Sequence, residues 1–247
     1  MDWGIIFAGM AIFGAGVVRG YTGFGFAMIC ALMLTQVFPP ATVTPIILCL
    51  DVAASLWLFY KVFHQVDWKG LKLIGLGAVL TLPLGTMVLI YVPVTPIRIF
   101  ISIVIIVLCF ALLRQKRKVQ ATGPVATAGV GMCSGFLTGV SALGGPPVIL
   151  FYFSSDRPVA VSRASMIAFF LIVDAFALIS CLVSGLLTRE VVTLSLGFML
   201  PLAAGIGIGN FLFHRFHNEE AFRKQVIILL MCLAVASFVK FTLFPSP

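Results

Sequence analysis

Apolar residues run in long blocks along this chain, and most polar residues are gathered between the blocks. A helix that crosses a bilayer needs about 20 apolar residues. Six blocks meet that length, at about 41–60, 71–91, 96–113, 159–184, 191–213 and 224–244. Two further apolar stretches, 3–38 and 124–153, are punctuated by glycines. The first is too long for one ordinary crossing. Split at its glycines it leaves arms 3–18 and 26–38, about 24 Å and about 20 Å long at the helical rise, each too short to cross alone. The second splits in the same way. Such a segment is either a steeply tilted broken helix or a re-entrant hairpin with its tip at mid-membrane.

Composition agrees with the pattern. Of the 247 residues, 61% are hydrophobic and 10% charged, with mean hydropathy +1.17. A soluble domain is about 45–50% apolar and about 25% charged. A soluble enzyme, a nucleic-acid binder and a disordered chain are therefore excluded, and an all-α polytopic membrane protein is expected. Six cysteines lie scattered in apolar stretches with no CxxC spacing, so they read as buried thiols rather than disulfides or metal ligands. The N-terminal MDWGIIFAGM has no basic region and no A-x-A cleavage site, and reads as mature protein.

The chain also repeats itself. GVVRGYTGFG, from Gly16 to Gly25, matches GFLTGVSALG, from Gly135 to Gly144, at an offset of 119 residues. The same offset takes Pro39 to Pro158 and Ala41 to Ala160. The chain thus divides into a first repeat, 1–113, a basic linker, 114–122, and a second repeat, 123–247, forming one integrated unit. Each repeat holds one Gly-rich broken or re-entrant segment and three spanning helices. Internal repeats of this kind are characteristic of secondary transporters.

Charge chooses between the two geometries. With eight plain crossings, loop Lys and Arg divide 9 to 6 between the sides. With both Gly segments re-entrant they divide 12 to 3, as the positive-inside rule prefers. The bias also reverses between equivalent loops of the two repeats, which is what an inverted repeat requires. Both termini are expected outside and the linker in the cytoplasm. The net charge of +8 is read as topological, not as a nucleic-acid surface.

Chemistry concentrates at the Gly segments. Backbone that leaves a helix inside a bilayer is tolerated only when buried in protein or lining a polar cavity. After Gly23-Phe24-Gly25, and again at Gly144-Gly145-Pro146-Pro147, a new helix begins. Two such N-termini at mid-membrane offer N–H groups and positive dipoles to one anion. Gly20, Thr22, Thr138 and Ser141 complete the expected lining, the hydroxyls as donors. The alternative is close helix packing through small residues. Arg19, inside the first motif, either holds the anion or pairs structurally with Asp51 or with carbonyls at the break. Asp51 and Asp174, mid-span, either carry a coupling proton or serve as structural polar contacts. Arg163 either captures substrate or snorkels to the interface. No metal site and no cofactor are expected, and no nucleophile–base pair for an intramembrane enzyme is visible.

GVVRGYTGFGF with FPPATVTP, and CSGFLTGVSALGGPPVILFYF with RPVAVSRAS, resemble the sulfite exporter TauE/SafE family over nearly the whole chain. The resemblance implies a multi-pass protein of the bacterial inner membrane that moves sulfite, sulfonates or related organosulfur anions. The expected partners are a small anionic substrate and the lipid bilayer, with a homodimer left open and no nucleic acid. Alternating access, with proton linkage left open, is the leading reading. A passive anion channel, or a transporter of another small organic anion such as a carboxylate, is the alternative.

Overall fold

The computed structural model describes residues 2–22, 24–114, 123–154 and 158–215, with 228, 231, 235, 238 and 239 beyond them. Among the described residues the regular structure is helical. The helices are α1 (Asp2–Thr22), α2 (Phe26–Leu34), α3 (Pro40–Val62), α4 (Trp68–Tyr91), α5 (Val94–Arg114), α6 (Pro124–Ser141), α7 (Gly145–Ser154), α8 (Val159–Val183) and α9 (Arg189–Arg215), with a 3-10 turn at Phe63–Gln65. Most of the expected last span, 224–244, the linker beyond Arg114, Gly23 and Arg157 lie outside the described residues.

Helix boundaries follow local chemistry. Gly123 precedes α6 and Pro124 opens it, where a missing N–H costs nothing. Asp67 caps α4, its Oδ1 accepting from the Gly70 N–H at 3.3 Å, and its own N–H donates to Ser165 Oγ at 2.9 Å. Gly185, at φ +72°, closes α8 in the left-handed conformation that favours glycine.

Among the described residues five helices are long and apolar enough to cross a membrane: Trp3–Tyr21, Pro40–Tyr60, Trp68–Tyr91, Val161–Val183 and Arg189–Leu212. The first corrects the expectation of two short arms. α1 runs unbroken past Gly14, Gly16 and Gly20 to Thr22, 21 residues or about 32 Å. Glycines inside a helix weaken it only by about 1 kcal/mol each, and packing on a neighbour more than offsets that here. The break itself stands where expected, and α2 returns along α1. A Cβ on Gly25 would meet Val18 at 3.3 Å, and one on Gly4 would meet Val37, beyond the end of α2, at 2.7 Å. The first Gly segment is therefore a hairpin with one long and one short arm.

Two compact units emerge, and each draws on both halves of the chain. The first holds the described residues of 1–47, 92–114 and 189–247, and the second those of 48–91 and 115–188. In the first, α1 packs along α9, α2 packs on α1 and touches α5. In the second, α4 packs along α6, α7 sits on α6 and α8, and α8 also lies against α4. Each of the two dominant contacts is made through glycine. A Cβ on Gly16 would lie 3.0 Å from the Leu202 carbonyl oxygen, and one on Gly20 would lie 2.5 Å from that of Ile206. On the other side, Gly77 meets the Ala128 carbonyl at 2.6 Å by the same measure, and Gly131, Gly135 and Gly139 abut the α4 backbone at Ile74, Ala78 and Leu82. Apolar side chains are as attracted to lipid as to each other, so close backbone approach is what holds such helices together. Outward faces are correspondingly apolar: Leu76, Leu80 and Leu84 on α4, and Leu196 and Leu200 on α9, are all exposed.

These contacts predict a split among glycines of one helix. Gly20→Ala forces α1 off α9 and should lower the thermal midpoint in detergent by several degrees. Gly9→Ala and Gly14→Ala, whose Cβ atoms would meet nothing within 4 Å, should leave it level or raised. Equal behaviour of the three variants would contradict the glycine-mediated contact.

Candidate functional site

In the first unit, α1 carries Arg19 one turn before its end. The residue is 2% exposed and engages other groups of the protein. Phe24, buried, leads to Gly25 at φ +91°, the residue that precedes α2. The Ile29 N–H bonds the Gly25 carbonyl at 3.1 Å. The N–H groups of Phe26, Ala27 and Met28, in the first turn, have no intrahelical acceptor by helix geometry, and the helix dipole adds positive potential there. Gly20 faces α9 rather than the break, so its role here is packing. Thr22 closes α1, and Gly23 lies outside the described residues.

In the second unit, α6 ends at Ser141. Ala142 takes a left-handed conformation, φ 58°, and wraps the helix end: its N–H bonds the Thr138 carbonyl at 2.8 Å, and the Leu143 N–H bonds that of Leu137 at 3.3 Å. Gly144 follows, enclosed. A Cβ there would sit 2.6 Å from the Ser134 carbonyl oxygen and would collide with the Thr138 hydroxyl. The Ser134 hydroxyl, fully buried, donates to the Gly144 carbonyl. Gly145 starts α7 against the ring of Phe170, 3.1 Å from where its Cβ would be.

Two of the hydroxyls expected to face an anion, those of Thr138 and Ser141, bond their own helix instead. Thr138 Oγ1 donates to the Ser134 carbonyl at 2.9 Å and Ser141 Oγ to the Leu137 carbonyl at 3.3 Å. A helix offers Ser and Thr the carbonyl one turn back, and in an apolar medium that acceptor wins. The two helix starts also differ as donors. Pro146 and Pro147 have no N–H, so the first turn of α7 keeps few donors where α2 keeps three.

Asp51 on α3 and Asp174 on α8, both belonging to the second unit, are each 4% exposed, and both engage other groups. Arg163, near the start of α8, is half-buried and also engaged. Two features were missed in the sequence. Ser134 had no signal: its counterpart at offset 119 is Ala15, and a serine in a Gly-rich helix reads as packing. Arg98 on α5 donates to the Phe38 carbonyl at 3.5 Å, beyond the end of α2, a contact that the sequence alone does not signal.

Ala142→Gly should stabilise the protein by about 1 kcal/mol, since a non-glycine residue in the left-handed region costs about 1–2 kcal/mol. Gly144→Ala should do the reverse, because Ser134 and Thr138 must both move. Denaturant-induced unfolding in detergent measures both, and a loss of stability in Ala142→Gly would overturn the backbone assignment.

The sulfite exporter TauE/SafE family profile matches residues 8–237, almost the whole chain. No curated protein and no solved structure matches it. The match takes in both Gly breaks, both buried aspartates and the glycine-bearing helices that pack against the broken segments, and on it the chain belongs to the sulfite exporter TauE/SafE family of membrane transporters.

Proposed function

We propose that this protein is a secondary transporter that moves a small sulfur-containing anion, sulfite or a sulfonate, across the inner membrane of a bacterium. The carrying observation is that each compact unit contains a helix break enclosed by protein, followed by a new helix whose first turn faces the break. Such breaks are costly in a bilayer and supply anion-binding amides. Buried Arg19, beside the first break, adds a positive charge suited to a sulfur oxyanion. The family match supports sulfite as the first substrate to try.

Alternating access is the proposed mode, and an inverted repeat its structural basis. The 12-to-3 division of loop cations supports this arrangement, with the loop at 63–67 in the cytoplasm and that at 35–39 outside. Asp51 and Asp174 are the proposed proton carriers. A buried carboxylate that takes up a proton lets an anion cross with less net charge, so the membrane potential opposes uptake less.

Three measurements test this. Proteoliposomes should show saturable sulfite uptake and counterflow, and linear, non-saturating flux without counterflow would make the protein a channel. Asp51→Asn or Asp174→Asn should flatten the pH dependence of net uptake while sparing sulfite exchange. An unaltered pH profile in both removes these acids from coupling. Single cysteines at Phe38 and Lys72, in a cysteine-less chain, should label from opposite sides of the membrane, and labelling from one side would refute the topology.

A further inference from the structure

We infer that the corner between α3 and α4 is a docking surface for anionic phospholipids, on which Lys69 and Lys72 take the headgroup phosphate and a collar of exposed rings fixes the corner at the membrane–water boundary. The inference requires only that α3 and α4 cross the bilayer, and it stands whether or not the protein carries sulfite.

The span ends locate the corner. The apolar part of α3 stops at Tyr60 and that of α4 starts at Trp68, so residues 61–67 make the turn at the membrane surface. Trp57, Tyr60, Phe63 and Trp68 are all exposed there, Tyr60 by 90%. Trp and Tyr gather where a bilayer meets water, because the ring body suits the acyl region and the N–H or O–H suits the headgroups. The rings are held in place. Phe63 lies edge-on to Phe59 at 5.4 Å and to Trp68 at 5.5 Å. The Asp67 N–H ties the turn to α8 by donating to Ser165 Oγ at 2.9 Å. A platform fixed before binding loses little freedom when a ligand settles on it.

The lysines say which ligand. Lys69 and Lys72, both exposed, stand three residues apart on α4 and so on one face. That face continues at helical spacing through Leu76 and Leu80, exposed apolar residues of the span. The side of α4 that meets α6 is a different one, with Ile74, Ala78 and Leu82. The lysines therefore stand above the lipid-facing side, where a headgroup at Lys69 and Lys72 leaves its acyl chains along Leu76 and Leu80. Nothing local rewards the two charges. They fall near the start of α4, where the helix dipole is itself positive. Asp67, the one acid in 57–72, gives its Oδ1 to the Gly70 N–H at 3.3 Å. Among the described residues neither lysine has an ion-pair partner. The opposite ends of the same helices, 35–43 and 88–93, hold no Lys or Arg. A negative headgroup supplies at this one end the charge that the protein omits.

Tryptophan quenching by brominated lipids in mixed micelles tests this on the purified full chain. Trp57 and Trp68 lie in the surface, and Trp3→Phe removes the remaining tryptophan. Brominated phosphatidylglycerol should quench at about tenfold lower mole fraction than brominated phosphatidylcholine, since each lysine near a negative surface contributes a few-fold. Salt at about 0.5 M should shrink that preference. Lys69→Gln with Lys72→Gln should bring the two lipids level and leave quenching by phosphatidylcholine as it was, while Lys69→Arg with Lys72→Arg should keep the preference. Thermal midpoint and gel filtration report folding. Equal quenching of the natural chain by both lipids overturns the inference, as does a folded double glutamine variant that still prefers phosphatidylglycerol. Displacement of the lipid by an equal amount of soluble glycerol phosphate also overturns it, since the surface would then hold a free phosphate rather than a lipid. Should the double variant not fold, each single variant should cut the preference about threefold, and an unchanged preference in both overturns it.

Discussion

A peptide group in hydrocarbon must find a hydrogen-bond partner inside the protein, and this structure is organised around the few places where the helix stops supplying one. After Thr22, before α2 begins at Phe26, and at Ala142–Gly144 the intrahelical ladder ends within apolar sequence. Everything near these points is arranged to enclose them. Phe24 and Phe26 are buried at the first, and Ala142, Leu143, Ser134 and Thr138 at the second. The carbonyls at the end of α6 are taken by wrapped amides, and the carbonyl of Gly144 by a side chain. What is left without an acceptor is the opposite polarity: amide N–H at the start of α2 and α7.

Enclosure requires close neighbours, and glycine provides them twice over. The helix that leads into each break belongs to one half of the chain, and the helix that supports it belongs to the other: α9 supports α1, and α4 supports α6. The halves are thus not separable bodies. Each compact unit is an exchange product, assembled from a broken segment and a borrowed helix.

Much of this was written legibly in the sequence, and the rest was hidden for physical reasons. Hydropathy placed α3, α4, α8 and α9 within a few residues, because burial in lipid needs little beyond length and apolarity. The 119-residue register marked both breaks. It misjudged α1, since glycines spaced to receive a neighbouring backbone look in isolation like helix breakers, and only the partner α9 tells them apart. Pro146 and Pro147 were visible as helix starters, yet their missing N–H groups weigh against the donor role that a helix start suggests. Hydroxyl direction at Thr138 and Ser141 could not be read at all. One residue name serves both a group that faces a ligand and a group that bonds its own helix.

The exchange also orders events during synthesis. All of the second unit lies before residue 189, so α4, α6, α7 and α8 can assemble while the chain is still being made. The first unit waits. α1 carries buried Arg19 and the glycines that α9 will cover, and α9 begins only at Arg189, about two thirds of the chain later. At about 5–20 residues per second that delay is on the order of 10–40 s. For that time an arginine-bearing helix with an open glycine face sits in or beside the membrane without its mate, so α1 is the segment whose fate depends most on how fast the rest of the chain arrives.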